Sequence, residues 1–81
     1  MRISKTTYEK MKKAIQKMDV QNMRNHRENL KTLGNVKCVE ERLRWDVFHH
    51  SGLGNLYAED DSLKDEHIDT ALRKIFKELD I

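Results

Sequence analysis

The sequence contains no proline, three glycines and one cysteine among its 81 residues, and it has no long apolar run. A single cysteine excludes an internal disulfide and a cysteine-rich zinc site. No segment approaches the ~18 apolar residues that cross a membrane, and the first residues lack the apolar stretch of a signal peptide. We therefore expect the protein to act in the cytoplasm, with Cys38 reduced.

The scarcity of turn-forming residues disfavours a β-rich fold and favours helices joined by short connections. A chain of this length has room for one small domain. The sequence therefore predicts an all-α fold, a single helical domain over residues 1–81 built as a small bundle of three or four helices. A loop at about 52–63 is expected to pack on this domain, because it is too apolar for a free linker.

Apolar residues recur at helical spacing in four segments. The segments run over about 6–18, 20–33, 36–51 and 64–79. The second is the least secure helix because it contains three asparagines, which are poor helix formers. Gly34 and Gly52 are predicted to end the second and third helices, since glycine readily takes a left-handed backbone. The predicted N-caps are Thr6, Asp19 and Asn35 for the first three helices, and Ser62 or Asp65 for the fourth.

The sequence offers few groups for catalysis or metal binding. His49 and His50 would point about 100° apart on a helix, whereas Asp46 and His50 are one turn apart and could share an ion. No pair has zinc-site spacing, and neither a Gly-rich phosphate loop nor a nucleophile constellation is present. We expect no catalytic residues, no metal, no cofactor and a non-enzymatic role.

The two parts of the chain differ in charge. Residues 1–33 hold 9 Lys+Arg and 3 Asp+Glu, a net of +6, whereas residues 34–81 hold 7 and 11, a net of −4. The basic part could follow a nucleic-acid backbone. Alternatively, its lysines could form the solvated face of an amphipathic helix. The candidate nucleic-acid-binding residues are Lys10, Lys12, Lys13, Lys17, Arg24, Arg27 and Lys31.

Three of the five aromatic residues lie close together in the sequence, beside two leucines. Trp and Tyr frequently anchor protein interfaces, but a small protein also needs its aromatic residues in the core. Both interpretations stay open at this point. The candidate partner-binding residues are Trp45, Phe48, Leu53, Leu56, Tyr57 and His67.

Several short motifs resemble a group of small uncharacterised accessory proteins of bacteriophages and prophages. The motifs are LRWD at 43–46, SGL at 51–53 and DEHIDTALRKI at 65–75, and the opening MRISK with Tyr8 is similar too. The resemblance does not extend over residues 18–40. It implies stoichiometric binding to a host protein in the host cytoplasm, such as a CRISPR complex or a defence nuclease, or a role in transcription, and it supplies no catalytic residues.

The sequence is therefore interpreted as a non-enzymatic, phage-type accessory protein that binds a host or defence protein and inhibits it. The alternative is a small nucleic-acid-binding or regulatory protein that uses the basic residues of 1–33. A homodimer is compatible with both. Within the last helix, Asp69 is placed to pair with Arg73 one turn away, or with Arg44 on another helix.

Overall fold

The computed structural model describes residues 3–34, 36–56 and 62–81. Over these ranges the chain forms helices α1 (Lys5–Gln16), α2 (Val20–Leu33), α3 (Val39–His50) and α4 (Asp65–Glu78), with one 3-10 turn at Leu53–Asn55. The described ranges contain no β-strand, and the helices form a small bundle. The predicted all-α fold is therefore confirmed.

The first two helices begin at capping side chains. The N-cap of α1 is Ser4 and not Thr6 as predicted, because the extended backbone of Ser4 lets its hydroxyl accept a hydrogen bond from the Thr7 N–H at 3.2 Å. Thr6 instead lies inside the first turn. The prediction for α2 is confirmed: Asp19 Oδ1 accepts from the Gln21 N–H at 2.9 Å.

Helices α3 and α4 begin without a side-chain cap hydrogen bond. Cys38 and Lys64 occupy the two N-cap positions, and the first turns carry acidic residues that favour the helix N-terminus electrostatically. The predictions of Ser62 or Asp65 as the cap of α4 are therefore wrong. Helix α3 also begins three residues later than predicted, and its predicted cap, Asn35, lies outside the described residues.

Two glycines end helices as predicted. Gly34 follows α2 with φ +72°, and Gly52 follows α3 with φ +79°, both in the left-handed region that side chains disfavour. After Gly52, Leu53 and Leu56 are buried, and so is Leu63 before α4. The described ends of the predicted packed loop therefore contact the core, while residues 57–61 lie outside the described ranges.

The core is formed by one apolar stripe from each helix. Its fully buried large side chains come from α1, α3 and α4, and they are Met11, Ile15, Leu43, Phe48, Ile68, Leu72 and Ile75. Helix α2 contributes only Met23 and Leu30 to the buried set. Leu33, predicted to continue that stripe, is instead 65% exposed.

A partly buried ion pair joins α3 to α4. Arg44 Nε donates to Asp69 Oδ1 at 3.0 Å and Arg44 Nη2 donates to Oδ2 at 3.4 Å, with the side chains 11% and 19% exposed. Arg73 Nε also donates to Asp69 Oδ2 at 3.0 Å. The two pairings that the sequence left open are thus both present, and one carboxylate serves both arginines.

We predict that Asp69→Asn lowers the free energy of unfolding by about 1–3 kcal/mol, because it removes a charged acceptor from the sheltered Arg44 guanidinium. Arg73→Gln, the matched control, removes only an exposed pair and should cost no more than ~0.5 kcal/mol. Urea denaturation followed by circular dichroism measures both. A loss for Asp69→Asn no larger than that of Arg73→Gln would contradict the structural role of the pair.

Candidate partner-binding surface

The predicted partner-binding residues do not form one exposed surface. Phe48 is fully buried, and Leu53 and Leu56 are 5% and 4% exposed, so these three belong to the core and cannot contact a partner in this fold. Tyr57 lies outside the described residues. Trp45 and His67 are partly exposed, and they are the described members of the set with surface to offer.

Trp45 lies at the boundary between core and solvent. Its ring meets Phe48 edge to face, with centroids 5.4 Å apart, and lies 6.3 Å from the His49 ring. Its other side lines an open groove of about 500 Å³. The groove is bounded by Val36, Lys37, Cys38, Glu41, Arg42 and Trp45. Phe48 therefore holds the indole in place while part of it stays accessible.

Leu33, the last residue of α2, adds an exposed apolar side chain. Among the described residues it is the one large hydrophobic side chain classed as exposed. It lies three positions before Val36 in the sequence, a distance of at most about 11 Å along the chain. We call Leu33, Val36 and Trp45 the connector patch: Leu33 is the last residue of α2, and Val36 and Trp45 line the groove near the start of α3.

The sequence contains a signal for the exposure of Leu33. At about 100° per residue, Leu30 points within about 20° of Met23, whereas Leu33 points about 80° away. Leu33 also occupies the last position of α2, immediately before Gly34. Spacing by three and four residues therefore assigns Leu33 to the apolar stripe. Its direction, however, places it at the edge of the buried face, at the end of the helix.

A second groove, of about 430 Å³, lies between α2 and α3. His26 Nε2 and Asp46 Oδ2 are 2.7 Å apart there, and Arg42 Nε donates to both oxygens of Asp46 at 3.2 and 3.3 Å. His50 lines the groove as well. Asp46, which the sequence placed one turn from His50 as a residue that could share an ion with it, thus bonds to His26 and Arg42.

This groove has a carboxylate–imidazole pair, but its described residues do not include a cluster of three side chains that could hold a metal ion. Outside residues 1–2, 35 and 57–61, no three His, Cys, Asp or Glu side chains are arranged to hold a metal ion. Cys38 lines the other groove together with Trp45. The His26–Asp46 contact therefore acts first as a link between α2 and α3.

Most of the basic side chains proposed for nucleic-acid binding make contacts within the protein. Lys12 pairs with Glu78 at 2.9 Å, Arg27 with Glu40 at 2.7 Å and Lys31 with Glu28 at 3.4 Å. Arg24 Nη2 donates to the Asp80 carbonyl at 3.1 Å. Lys10, Lys13 and Lys17 are exposed along one side of α1 and its C-cap. Of the predicted nucleic-acid-binding surface, the exposed lysines along α1 are therefore the part that the internal pairs named above do not involve.

The Lys12–Glu78 pair joins α1 to α4 beside a buried tyrosine. Lys74 Nζ lies 5.3 Å from the centroid of the Tyr8 ring, which gives a cation–π contact. Burial raises the pKa of Tyr8 to about 12, and the negative charge of Glu78 adds to this. Among the described residues, the Tyr8 hydroxyl finds no partner that meets hydrogen-bond geometry, so we attribute the shift first to burial.

Comparison with known proteins gives no relative: no protein-family model, no curated protein and no solved structure matches the chain. Among the residues that the structure describes, no helix combines the length and the apolar character that crossing a membrane requires.

We predict that the folded protein loses stability as the pH rises from 10.0 to about 12, because the fold holds Tyr8 in its neutral form while the unfolded chain releases the proton at its ordinary pKa of 10.0. Tyr8→Phe should remove this part of the pH dependence. Urea denaturation at a series of alkaline pH values, for both proteins, measures it. Identical slopes for the two proteins over this range would contradict the prediction.

Proposed function

We propose that the protein is a non-enzymatic binding module that forms a stoichiometric complex with another protein through the connector patch. The observation that carries the proposal is the 65% exposure of Leu33 at the end of α2, close in sequence to the groove that Val36 and Trp45 line. The fold does not need Leu33, because the core closes without it. Transferring a leucine side chain from water into an interface contributes roughly 1.5–3 kcal/mol, which favours a partner that covers it.

The partner that we propose is a different protein and not a second copy of this chain. A stable interface covers about 800 Å² on each partner, and the total accessible surface of this chain is 5583 Å². Stable homodimers usually bury a predominantly apolar area, whereas the connector patch is small and bordered by Lys37, Glu41 and Arg42. An apolar anchor within a charged rim is typical of complexes between different proteins.

The identity of that partner is proposed from the phage-like motifs. Small phage accessory proteins of the group that the motifs resemble would act on a host or anti-phage defence factor, such as a CRISPR or nuclease complex. A binding module needs no catalytic centre to inhibit such a factor, since occupying an essential surface is sufficient. We therefore propose inhibition by stoichiometric binding in the host cell.

The variant Leu33→Glu should abolish capture of the partner, because it places a charge on the exposed apolar side chain of the patch. The control is Gln16→Glu, which adds the same charge at an exposed position on α1. Both proteins, and the wild type, are tagged and used to capture partners from a lysate of the host, with and without nuclease. We expect one protein that the wild type and Gln16→Glu retain after nuclease treatment, and that Leu33→Glu loses.

Three results would contradict the proposal. Leu33→Glu could retain the partner, nuclease could release it from the wild type, or the purified complex could fail to show a fixed stoichiometry by light scattering. A wild-type particle of twice 9.7 kDa that Leu33→Glu reduces to a monomer would assign the patch to a homodimer instead.

The lysines of α1 favour a second candidate, nucleic-acid binding. Lys10, Lys13 and Lys17 are exposed at spacings of three and four residues, which places them on one side of the helix. A row of cations is the arrangement that follows a phosphate backbone. The neutralised basic residues of α2 leave this row with few phosphate contacts, so the proposal ranks below protein binding.

This second candidate predicts that Lys13→Glu combined with Lys17→Glu weakens binding to a DNA or RNA duplex and flattens its dependence on salt. Removing one lysine–phosphate contact should reduce the slope of log K against log salt by about 0.9. Lys37→Glu combined with Lys64→Glu makes the same charge change elsewhere and serves as the control. Fluorescence anisotropy at several salt concentrations measures the slope, and equal effects of the two double variants would refute a site on α1.

A further inference from the structure

A third groove, of about 340 Å³, lies where α2, α3 and the end of α4 meet. It is lined by Arg27, Glu40, Arg44, Arg73, Phe76, Lys77, Asp80 and Ile81. We propose that this arginine groove binds a small dianion that carries a phosphate group. It shares no lining residue with the groove beside Trp45, so this inference is independent of the proposed protein-binding function.

The groove collects more positive than negative charge. Arg27, Arg44, Arg73 and Lys77 line it against Glu40 and Asp80, and Arg24 and Asp69 lie within hydrogen-bond reach of these residues. The side chains of these residues amount to five cations and three carboxylates, a side-chain net of +2. The charge complements that of a phosphate monoester, which carries close to −2 at neutral pH.

The arginines keep unused donors after their internal pairing. Arg27 contacts Glu40 through Nε, and Arg73 contacts Asp69 through Nε. A guanidinium has five N–H donors, and within the described ranges no hydrogen bond occupies the Nη groups of these two side chains. Lys77 makes no ion pair with a described residue. The Nη groups and the Lys77 ammonium are therefore available to an oxyanion.

The internal pairs also restrain the arginines before a ligand arrives. Glu40 holds Arg27, whose side chain is 18% exposed, and Asp69 holds Arg44 and Arg73. A guanidinium that is already fixed loses less conformational entropy on binding than a free surface side chain. The carboxylates thus restrain the donors without cancelling the net charge.

The end of α4 completes the groove. Asp80 takes a left-handed backbone with φ +56°, and the Ile81 N–H donates to the Phe76 carbonyl at 3.0 Å, while the Asp80 N–H donates to the Lys77 carbonyl at 3.3 Å. These two bonds form a Schellman motif, which reverses the chain at a helix end. The reversal brings Asp80 and Ile81 to the groove, and Arg24 fixes it by donating to the Asp80 carbonyl.

Convergence of the cations favours a compact dianion over a nucleic-acid strand. The basic side chains come from three helices and meet at one groove, whereas a strand needs cations spread along its backbone. The volume lies at the lower end of the range for small-ligand sites, about 300–1,000 Å³. A phosphate ion or the phosphate of a mononucleotide fits both the charge and the volume.

The test is a titration of the wild type, at constant ionic strength and slightly alkaline pH, with inorganic phosphate and separately with AMP. Nuclear magnetic resonance of the arginine Nε–H groups reports on the groove directly. We expect saturable shifts of the Arg27 and Arg73 signals with at least one probe. Saturation by phosphate and AMP alike assigns the site to the phosphate group alone, and clearly tighter binding of AMP assigns it to a phosphomonoester.

Arg73→Gln combined with Lys77→Gln should weaken binding by at least about tenfold, the loss expected when charged hydrogen bonds are removed. Lys77→Gln alone breaks no internal ion pair, and it should weaken binding without changing the unfolding midpoint. Lys5→Gln, which removes one exposed positive charge from α1, is the charge-matched control for Lys77→Gln and should leave binding unchanged.

Several results would overturn the inference. The Arg27 and Arg73 signals could fail to saturate with either probe, the α1 control could weaken binding as much as the groove variants, or neither groove variant could weaken it. Tighter binding of a duplex without terminal phosphates, abolished in Arg73→Gln with Lys77→Gln, would show that the groove contacts nucleic acid instead.

Discussion

The arrangement of this small bundle depends on the Asp69 carboxylate. Apolar stripes bring α3 and α4 together, but apolar packing alone tolerates sliding and rotation, whereas a bidentate pair restricts both. Asp69 accepts from Arg44 on α3 and from Arg73 on its own helix. Because Arg44 is 11% exposed, its charge has limited access to water and needs this acceptor. The register of α4 against α3, and hence the shape of the arginine groove, follows from that requirement.

Charge pairing also changes what the basic part of the sequence can do. Part of the net charge of +6 on residues 1–33 is neutralised within the protein. Lys12 pairs with Glu78, and Arg27 pairs with Glu40, both of the acidic part. The asymmetry in the sequence therefore serves the contact between helices as well as the surface. Single exposed pairs of this kind contribute little to stability. Together they specify which helices are neighbours, and they leave a row of lysines on α1 and a cluster of arginines beside α4.

Local signals predicted the fold better than the surface. The α4 stripe, the Asp19 cap and the left-handed Gly34 and Gly52 depend on neighbours within a few residues, and the structure confirms them. Ser4 and Thr6 both carry a hydroxyl that can cap a helix, so the residue types did not decide between them. Ser4 is the cap because the helix begins directly after it. Spacing by three and four residues assigned Leu33 to the buried stripe, although its angle of about 80° from Met23 places it at the edge of that stripe. Whether such an edge position is buried depends on which face the other helices cover. For the same reason the sequence could not divide the aromatic corner into a buried Phe48 and an accessible Trp45.

The exposure of Leu33 is informative because the rest of the core is closed. In a chain this short, every large apolar side chain adds a needed share of the folding free energy, so leaving one in water forgoes stabilisation. A polar residue at the end of α2 would cost the fold nothing, because Leu33 makes no contribution to the buried core. Scattered exposed leucines need no explanation in large proteins. Here Leu33 stands at the end of α2, and Val36 and the Trp45 indole, which meets Phe48 edge to face, line the groove near the start of α3. The proposed protein-binding function depends on this exposed leucine, because an apolar side chain that the fold leaves in water is stabilised when a partner covers it.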